Sequence, residues 1–275
     1  MNSNNLPIGI FDSGIGGLTV LKEIINRLPS ERTIYLGDTA RVPYGSRSPE
    51  TVTRYSFENS RFLFSRGIKL LVIACNTASS VSLERVRRSV SVPVIGVIQP
   101  GARAAAAATR NKKVGVIGTD ATVRTNAYSS AIRSIDSSIE VFSLACPLFV
   151  PLVEEGWTEG AVAELTAETY LRDIRREGID TLVLGCTHYP LLKGVLSKIM
   201  GPGVRLIDSA IETAATIRAA LEEQSLLRDV QGDGTGESNR EFYVTDSPEK
   251  FIDVGERFLG SSISFIKKIE LESEV

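Results

Sequence analysis

Two stretches of the chain place a thiol where an apolar run gives out. "LVIACNTASS" (71–80) reaches Cys75 and continues with Asn76 and Thr77, and "LVLGCTHYPLL" (182–192) reaches Cys186 and continues with Thr187 and His188. A single cysteine most often behaves as a small buried hydrophobe. Two at matching places, each followed by hydrogen-bonding residues, point instead to thiolate chemistry. A helix N-terminus draws a thiol's pKa from about 8.5 toward ~3.5–7.5, so a base usable near neutral pH is expected at both positions. Cys146, in "LACPLF", lacks that setting and reads as core. His188 is the only histidine. Its place two residues after Cys186 favours a catalytic or orienting role over a structural one. A zinc site from one histidine and three scattered cysteines has no support in the spacing.

A second group of residues surrounds glycines. "DSGIGG" (12–17) puts Asp12 at a strand end before a glycine-rich turn and a helix. Thr19 breaks the G-x-G-x-x-G pattern and Ile15 stands where a P-loop needs lysine, so neither nucleotide motif fits. What remains is either a plain tight turn or a set of backbone N–H groups at a helix start suited to a carboxylate or phosphate. Asp12 could orient a proton-transfer partner. In "GDTARVPYG" (37–45), Tyr44 and the backbone of Gly45 belong either to a surface turn or to one wall of a cleft.

The elements that must position these residues alternate between β-rich and helical patterns. Strands are expected at 7–12, 32–38, 69–75, 92–98, 113–119, 140–147, 180–186, 204–210 and 241–246. Helices are expected at 17–28, 48–67, from 76 to about 88, 122–135, 158–177, 211–224 and 248–259. Ser48, Pro49 and Gly67 read as N-cap, first position and stop of the second helix, and Ser247 as a cap of the last. "QGDGTGESNR" (231–240) reads as a polar loop. Such alternation predicts parallel sheets covered on both faces. Asp12 and Cys75 follow strands of a first unit much as Thr119 and Cys186 follow strands of a second. The fold class expected is therefore α/β, with two similar domains of mainly parallel sheets flanked by helices. Ligands of such sheets sit beyond the C-terminal strand ends, and facing units would bring both thiols to one cleft between them.

The totals narrow the classes. With 275 residues, 43% hydrophobic and 23% charged, the chain can build a large core. A net charge of −2 gives no nucleic-acid footprint. No apolar run suits a membrane span and the N-terminus lacks a secretory pattern. Three cysteines without a CxxC fit a reducing cytoplasm.

The ordered set "IGIFDSGIGGLTVLKEI", "LGDTARVPYG", "LVIACNTAS", "PVIGVIQPGA", "VIGT", "CPLFVPLVEEG" and "VLGCTHYPLL" resembles the bacterial glutamate racemases of the aspartate/glutamate racemase family, from about residue 7 to 210. The resemblance implies a cofactor-independent, metal-free isomerase that interconverts L- and D-glutamate and supplies the D-isomer to peptidoglycan synthesis. It implies a first domain of 1–97 with 210–275, a second of 98–209, and a homodimer with neither nucleic-acid nor membrane partners. Inversion at Cα requires a base on one face and an acid on the other, exchanging roles for the other enantiomer. By motif match Cys75 would act on D-glutamate and Cys186 on L-glutamate, assisted by Asp12, His188 and Glu154. Substrate contacts would come from Asp12, Ser13, Tyr44, Gly45, Asn76, Thr77, Thr119, Thr122, Thr187 and His188. Some relatives carry an N-terminal extension together with activation by a peptidoglycan precursor; this chain has almost none, so that regulation is not expected. An aspartate racemase, a Cys–His hydrolase or amidotransferase, and a non-enzymatic amino-acid binder are the competing readings.

Overall fold

The computed structural model describes residues 3–228 and 239–271. The chain runs β1 (Ile8–Asp12), α1 (Leu18–Arg27), β2 (Thr33–Gly37), α2 (Pro49–Ser65), β3 (Leu70–Ile73), α3 (Asn76–Arg88), β4 (Val94–Gly96) and α4 (Ile98–Ala108). It continues with β5 (Lys113–Gly118), α5 (Asp120–Arg124), α6 (Ala127–Ile135), β6 (Glu140–Ala145), α7 (Phe149–Glu154), α8 (Ala161–Arg176) and β7 (Thr181–Gly185). The remainder is α9 (Lys193–Met200), β8 (Arg205–Asp208), α10 (Ser209–Glu223), β9 (Arg240–Val244), α11 (Pro248–Leu259) and β10 (Ile266–Lys268).

The strands form two sheets flanked by helices, ordered β10-β9-β2-β1-β3-β4 and β6-β5-β7-β8. Every pairing is parallel among the described residues. β1, β2, β3 and β7 are buried at every position, which is why their sequences are continuous apolar runs rather than alternating ones. In the first sheet β1 has β2 on one side and β3 on the other; in the second, β5 stands likewise between β6 and β7. The strand order reverses at β1/β3 and at β5/β7, where a crevice opens beyond the strand ends. One continuous hydrophobic cluster joins the sheets, taking Ile10, Leu18 and Tyr35 from the first and Ile117, Leu184 and Cys186 from the second half.

Local signals explain most boundaries. The Ser48 side chain accepts from the Thr51 N–H at the start of α2, Pro49 is its first residue, and Gly67 follows its end at φ +69°. Two expectations change. The helix expected at 122–135 is two helices, because Asn126 takes a left-handed conformation at φ +51° and interrupts the turn. Ser247 precedes α11 but is itself left-handed, and its side chain makes no capping bond. Pro147 just before α7 and Pro151 within it hide a short helix that the apolar pattern did not announce. α4, α9 and the short strand β10 were likewise not anticipated. Of the polar stretch 231–240, only Asn239 and Arg240 lie within the described residues, and Arg240 opens β9. Among the described residues, no helix is long and apolar enough to cross a membrane.

Candidate active site

Strand ends from both reversal points converge on a cavity of about 230 Å³. Its walls include Ser13, Gly14, Tyr44, Gly45, Cys75, Asn76 and Thr77 from the first sheet's side. Thr119, Glu154, Cys186, Thr187 and His188 come from the second's. A cavity below the ~300–1,000 Å³ of drug-sized pockets suits a ligand as small as an amino acid. Asp12 and Thr122 do not line it. Asp12 lies fully buried beneath the Ser13–Gly14 turn, and Thr122 is reached through Thr77 and Thr119, whose hydroxyls are 2.9 Å apart. Val42, Pro43, Ser46, Asp120, Pro147, Val150 and Pro151 also line the cavity. No chemical signal marked them, because they supply walls. No lysine or arginine lines it among the described residues.

Cys75 occupies the N-cap of α3 and its sulfur accepts from the Ala78 N–H at 3.4 Å. The Ser13 hydroxyl is 3.6 Å away. The helix start does not yield a low thiol pKa here. Burial, reinforced by the Asp12 carboxyl, outweighs these hydrogen bonds and pushes Cys75 up to about 12. Asp12 is itself raised by burial, against the opposing pull of His188 and of the backbone N–H groups of the glycine turn. Its Oδ2 accepts from the Gly14 N–H at 3.0 Å, while Oδ1 is buried without a partner.

Cys186 has a different neighbourhood. It opens a tight turn and a short 3₁₀ segment (Tyr189–Leu192) rather than an α-helix. Its sulfur lies 3.9 Å from His188 Nδ1, and His188 Nε2 lies 3.1 Å from Glu154 Oε1. Burial opposes a charge on His188, but its hydrogen bonds to Cys186 and Glu154 prevail and push it up to about 10. The same contact holds Glu154 below its ordinary value. One thiol thus keeps its proton beside a carboxyl group, and the other faces an imidazolium.

Because His188 is the only histidine, its imidazole resonances in untagged protein form a clean titration. They should show no step between about pH 6 and 8, near the unperturbed value of about 6.5. A step there would refute this charge state. By the sign of the shifts, the stability contributed by the charged contact is lost as pH rises from about 6.5 through about 10, and is lost on the acid side as pH falls below the ordinary carboxylate range and Glu154 takes up its proton.

Two of the expected substrate contacts already have partners within the protein. Tyr44 is buried, and its hydroxyl is committed to Asp38 and to Asn59 Nδ2, so only its remaining atoms face the cavity. Asn76 Oδ1 accepts from the Tyr128 hydroxyl at 2.7 Å, whereas its Nδ2 is buried without a partner at the cavity wall. An orphaned donor in that position is suited to a carboxylate ligand.

The Asp/Glu/hydantoin racemase family model matches residues 8–217. This chain belongs to that family. It is 58% identical over 267 residues to the glutamate racemase of Geobacter metallireducens, covering 97% of each chain. Its fold matches the glutamate racemase of Bacillus anthracis with a TM-score of 0.92 at 41% identity, over 98% of both chains. It matches the Francisella tularensis glutamate racemase, solved with D-glutamate, with a TM-score of 0.91 at 39% identity, over 98% of this chain and all of that one. Membership of the family places the chain among the isomerases.

Proposed function

We propose that the protein interconverts L- and D-glutamate without a cofactor, using Cys75 and Cys186 as acid and base on opposite faces of Cα. The observation that carries this reading is the placement of two thiols, from corresponding strand ends of two sheets, in one small cavity. With L-glutamate bound, Cys186 as thiolate takes the α-proton and the imidazolium of His188 stands beside it. The C–H electron pair remains on Cα and spreads into the α-carboxylate. Cys75, which holds its proton, delivers it to the other face and becomes the thiolate. D-glutamate reverses each step, so the thiols share one proton and titrate as a pair.

Asp12 and Glu154 assist the two sides, Asp12 near Cys75 and Glu154 through His188. The remaining cavity residues, with Thr122 behind them, hold the substrate. Asn76 Nδ2 and the backbone N–H groups at the start of α3 are the donors offered to its carboxylates. We read 1–97 with 210–275 and 98–209 as the two units that enclose the substrate and exclude water from the carbanion. We further read the protein as a cytoplasmic homodimer whose D-glutamate feeds peptidoglycan. Growth of a D-glutamate auxotroph carrying this chain tests the supply role, and light scattering of purified protein tests the dimer.

Circular dichroism of L-glutamate incubated with purified protein tests the activity. The signal should decay to zero with no added pyridoxal phosphate and after exhaustive chelation. Activity lost to EDTA and restored by a metal ion would sink the two-thiol mechanism. The line Cys186–His188–Glu154 also has the form of a nucleophile, a base and an orienting carboxylate. A hydrolase built on it would accumulate a trappable acyl-enzyme and would leave Cys75 without a task.

A further inference from the structure

Glu154, the partner of His188, is the last residue of α7, a helix of only six residues. So short a helix has little stability of its own, and the carbonyls at its C-terminus need partners from elsewhere. One comes from a distant part of the chain. Arg257, in the last turn of α11, donates from Nη2 to the Glu154 carbonyl oxygen at 2.6 Å. Its guanidinium occupies space left open by Gly156, where φ is +78° and a Cβ would collide with Nη1. The next residue, Phe258, sets its ring edge-on to His188, with centroids 5.2 Å apart and planes at 82°. α11 belongs to the first sheet's side, packing on α1, whereas α7 and His188 follow strands of the second.

We propose that Arg257 is a positioning residue: by capping α7 across the two halves, it holds Glu154 in line with His188 and Cys186. The cation is well placed for this, since a helix C-terminus carries partial negative charge that an arginine offsets while satisfying a carbonyl. Gly156 is the socket, and Phe258, edge-on to the imidazole, limits its rotation. Sequence alone could not pair Arg257 with Glu154, which lies 103 positions away. The inference rests on the racemase reading for its kinetic consequence, but its structural consequence can be measured without substrate.

The groups facing His188 are Cys186, Glu154 and, at longer range, Asp12, with Lys250 of α11 acting on Glu154. Releasing Glu154 removes one of the interactions that keep His188 protonated, so the imidazole should titrate at lower pH. In Arg257→Gln, the titration of the single histidine should move down by at least half a pH unit, and kcat/KM should fall about tenfold, chiefly through kcat. A misplacement of about 1 Å can cost as much as 10²-fold. Arg257→Lys, which keeps the cation, should recover part of both effects. Gly156→Ala, which fills the socket while retaining Arg257, should reproduce them.

Wild-type racemisation is measured first, so a failure of the activity is distinguished from a failure of the clasp. If Arg257→Gln lowers the melting temperature but leaves the histidine titration and kcat/KM unchanged, the residue is merely structural and the proposal is overturned. An unchanged histidine titration in both Arg257→Gln and Gly156→Ala overturns it whatever the activity.

Discussion

Cys75→Ser and Cys186→Ser should each be nearly inactive for racemisation in both directions, yet differ in which enantiomer still exchanges its α-proton in D₂O. Serine preserves the shape of the site but is a far weaker acid, so each variant loses one member of the pair. General acid–base groups contribute about 10²–10⁴-fold in rate, and a proton as reluctant as that on Cα places the loss at the upper end or beyond. On the proposed mechanism every complete turnover needs both thiols, whereas exchange on one face needs one. Cys75→Ser should therefore wash out the α-proton of L-glutamate slowly through Cys186, and Cys186→Ser that of D-glutamate through Cys75.

The structure adds an asymmetry. Cys75 holds its proton up to about pH 12, whereas Cys186 has an imidazolium 3.9 Å away. The exchange left in Cys186→Ser should thus rise with pH, about tenfold per unit at first, as the Cys75 thiolate becomes populated. Proton NMR of each isomer, followed over a pH series, measures both effects. Appreciable racemisation by either variant, or the opposite enantiomer preference, would overturn the assignment of the thiols.

A large loss of activity is also expected from a substitution that touches no proposed acid or base. Gly16 begins the approach of the 12–17 turn to the 186–188 turn. A Cβ there would meet the Thr187 hydroxyl and lie 2.5 Å from His188 Nδ1 and 2.6 Å from its Cε1. The two turns are already fastened, since the Thr19 hydroxyl is 2.9 Å from the Gly16 carbonyl and 3.0 Å from that of Thr187. Neither side can simply withdraw. Gly16→Ala should therefore displace the imidazole and, with it, the environment of Cys186. Overpacking typically costs about 1–3 kcal/mol, which for a chain of this size lowers the melting temperature by only several degrees. The same displacement, at about 1 Å, should lower kcat/KM by about 10²-fold. Folded Gly16→Ala protein with activity within threefold of wild type would show that this approach does not set the geometry of the site.

The glycine turn shows how sequence and tertiary structure divided the information. Two nucleotide motifs could be excluded from "DSGIGG" by the residues at their defining positions. The reason for Gly16 was invisible, because its crowding comes from Thr187 and His188, far away in the chain. Gly45 is a parallel case, with the Thr119 side chain 2.9 Å from where its Cβ would be. Strands and most helices were legible because burial on both faces demands unbroken apolar runs, and because caps such as Ser48 and Gly67 are local. β10 was not, since a three-residue edge strand with two lysines carries neither pattern.

Sequence by itself marked three positions that meet at the cavity: Cys75, Thr119 and Cys186 fall at strand ends, and parallel sheets gather such ends at one edge. It could not determine their charge. A helix start favours a thiolate when considered alone, yet Cys75 is so deeply buried beside Asp12 that desolvation dominates. His188, equally buried, is held as a cation by two partners, one of them delivered by a short proline-containing helix. Spacing along a chain specifies which atoms can be brought near one another through local geometry. Desolvation and the sum of surrounding charges depend on every element packed against a group, and only the tertiary structure assembles those.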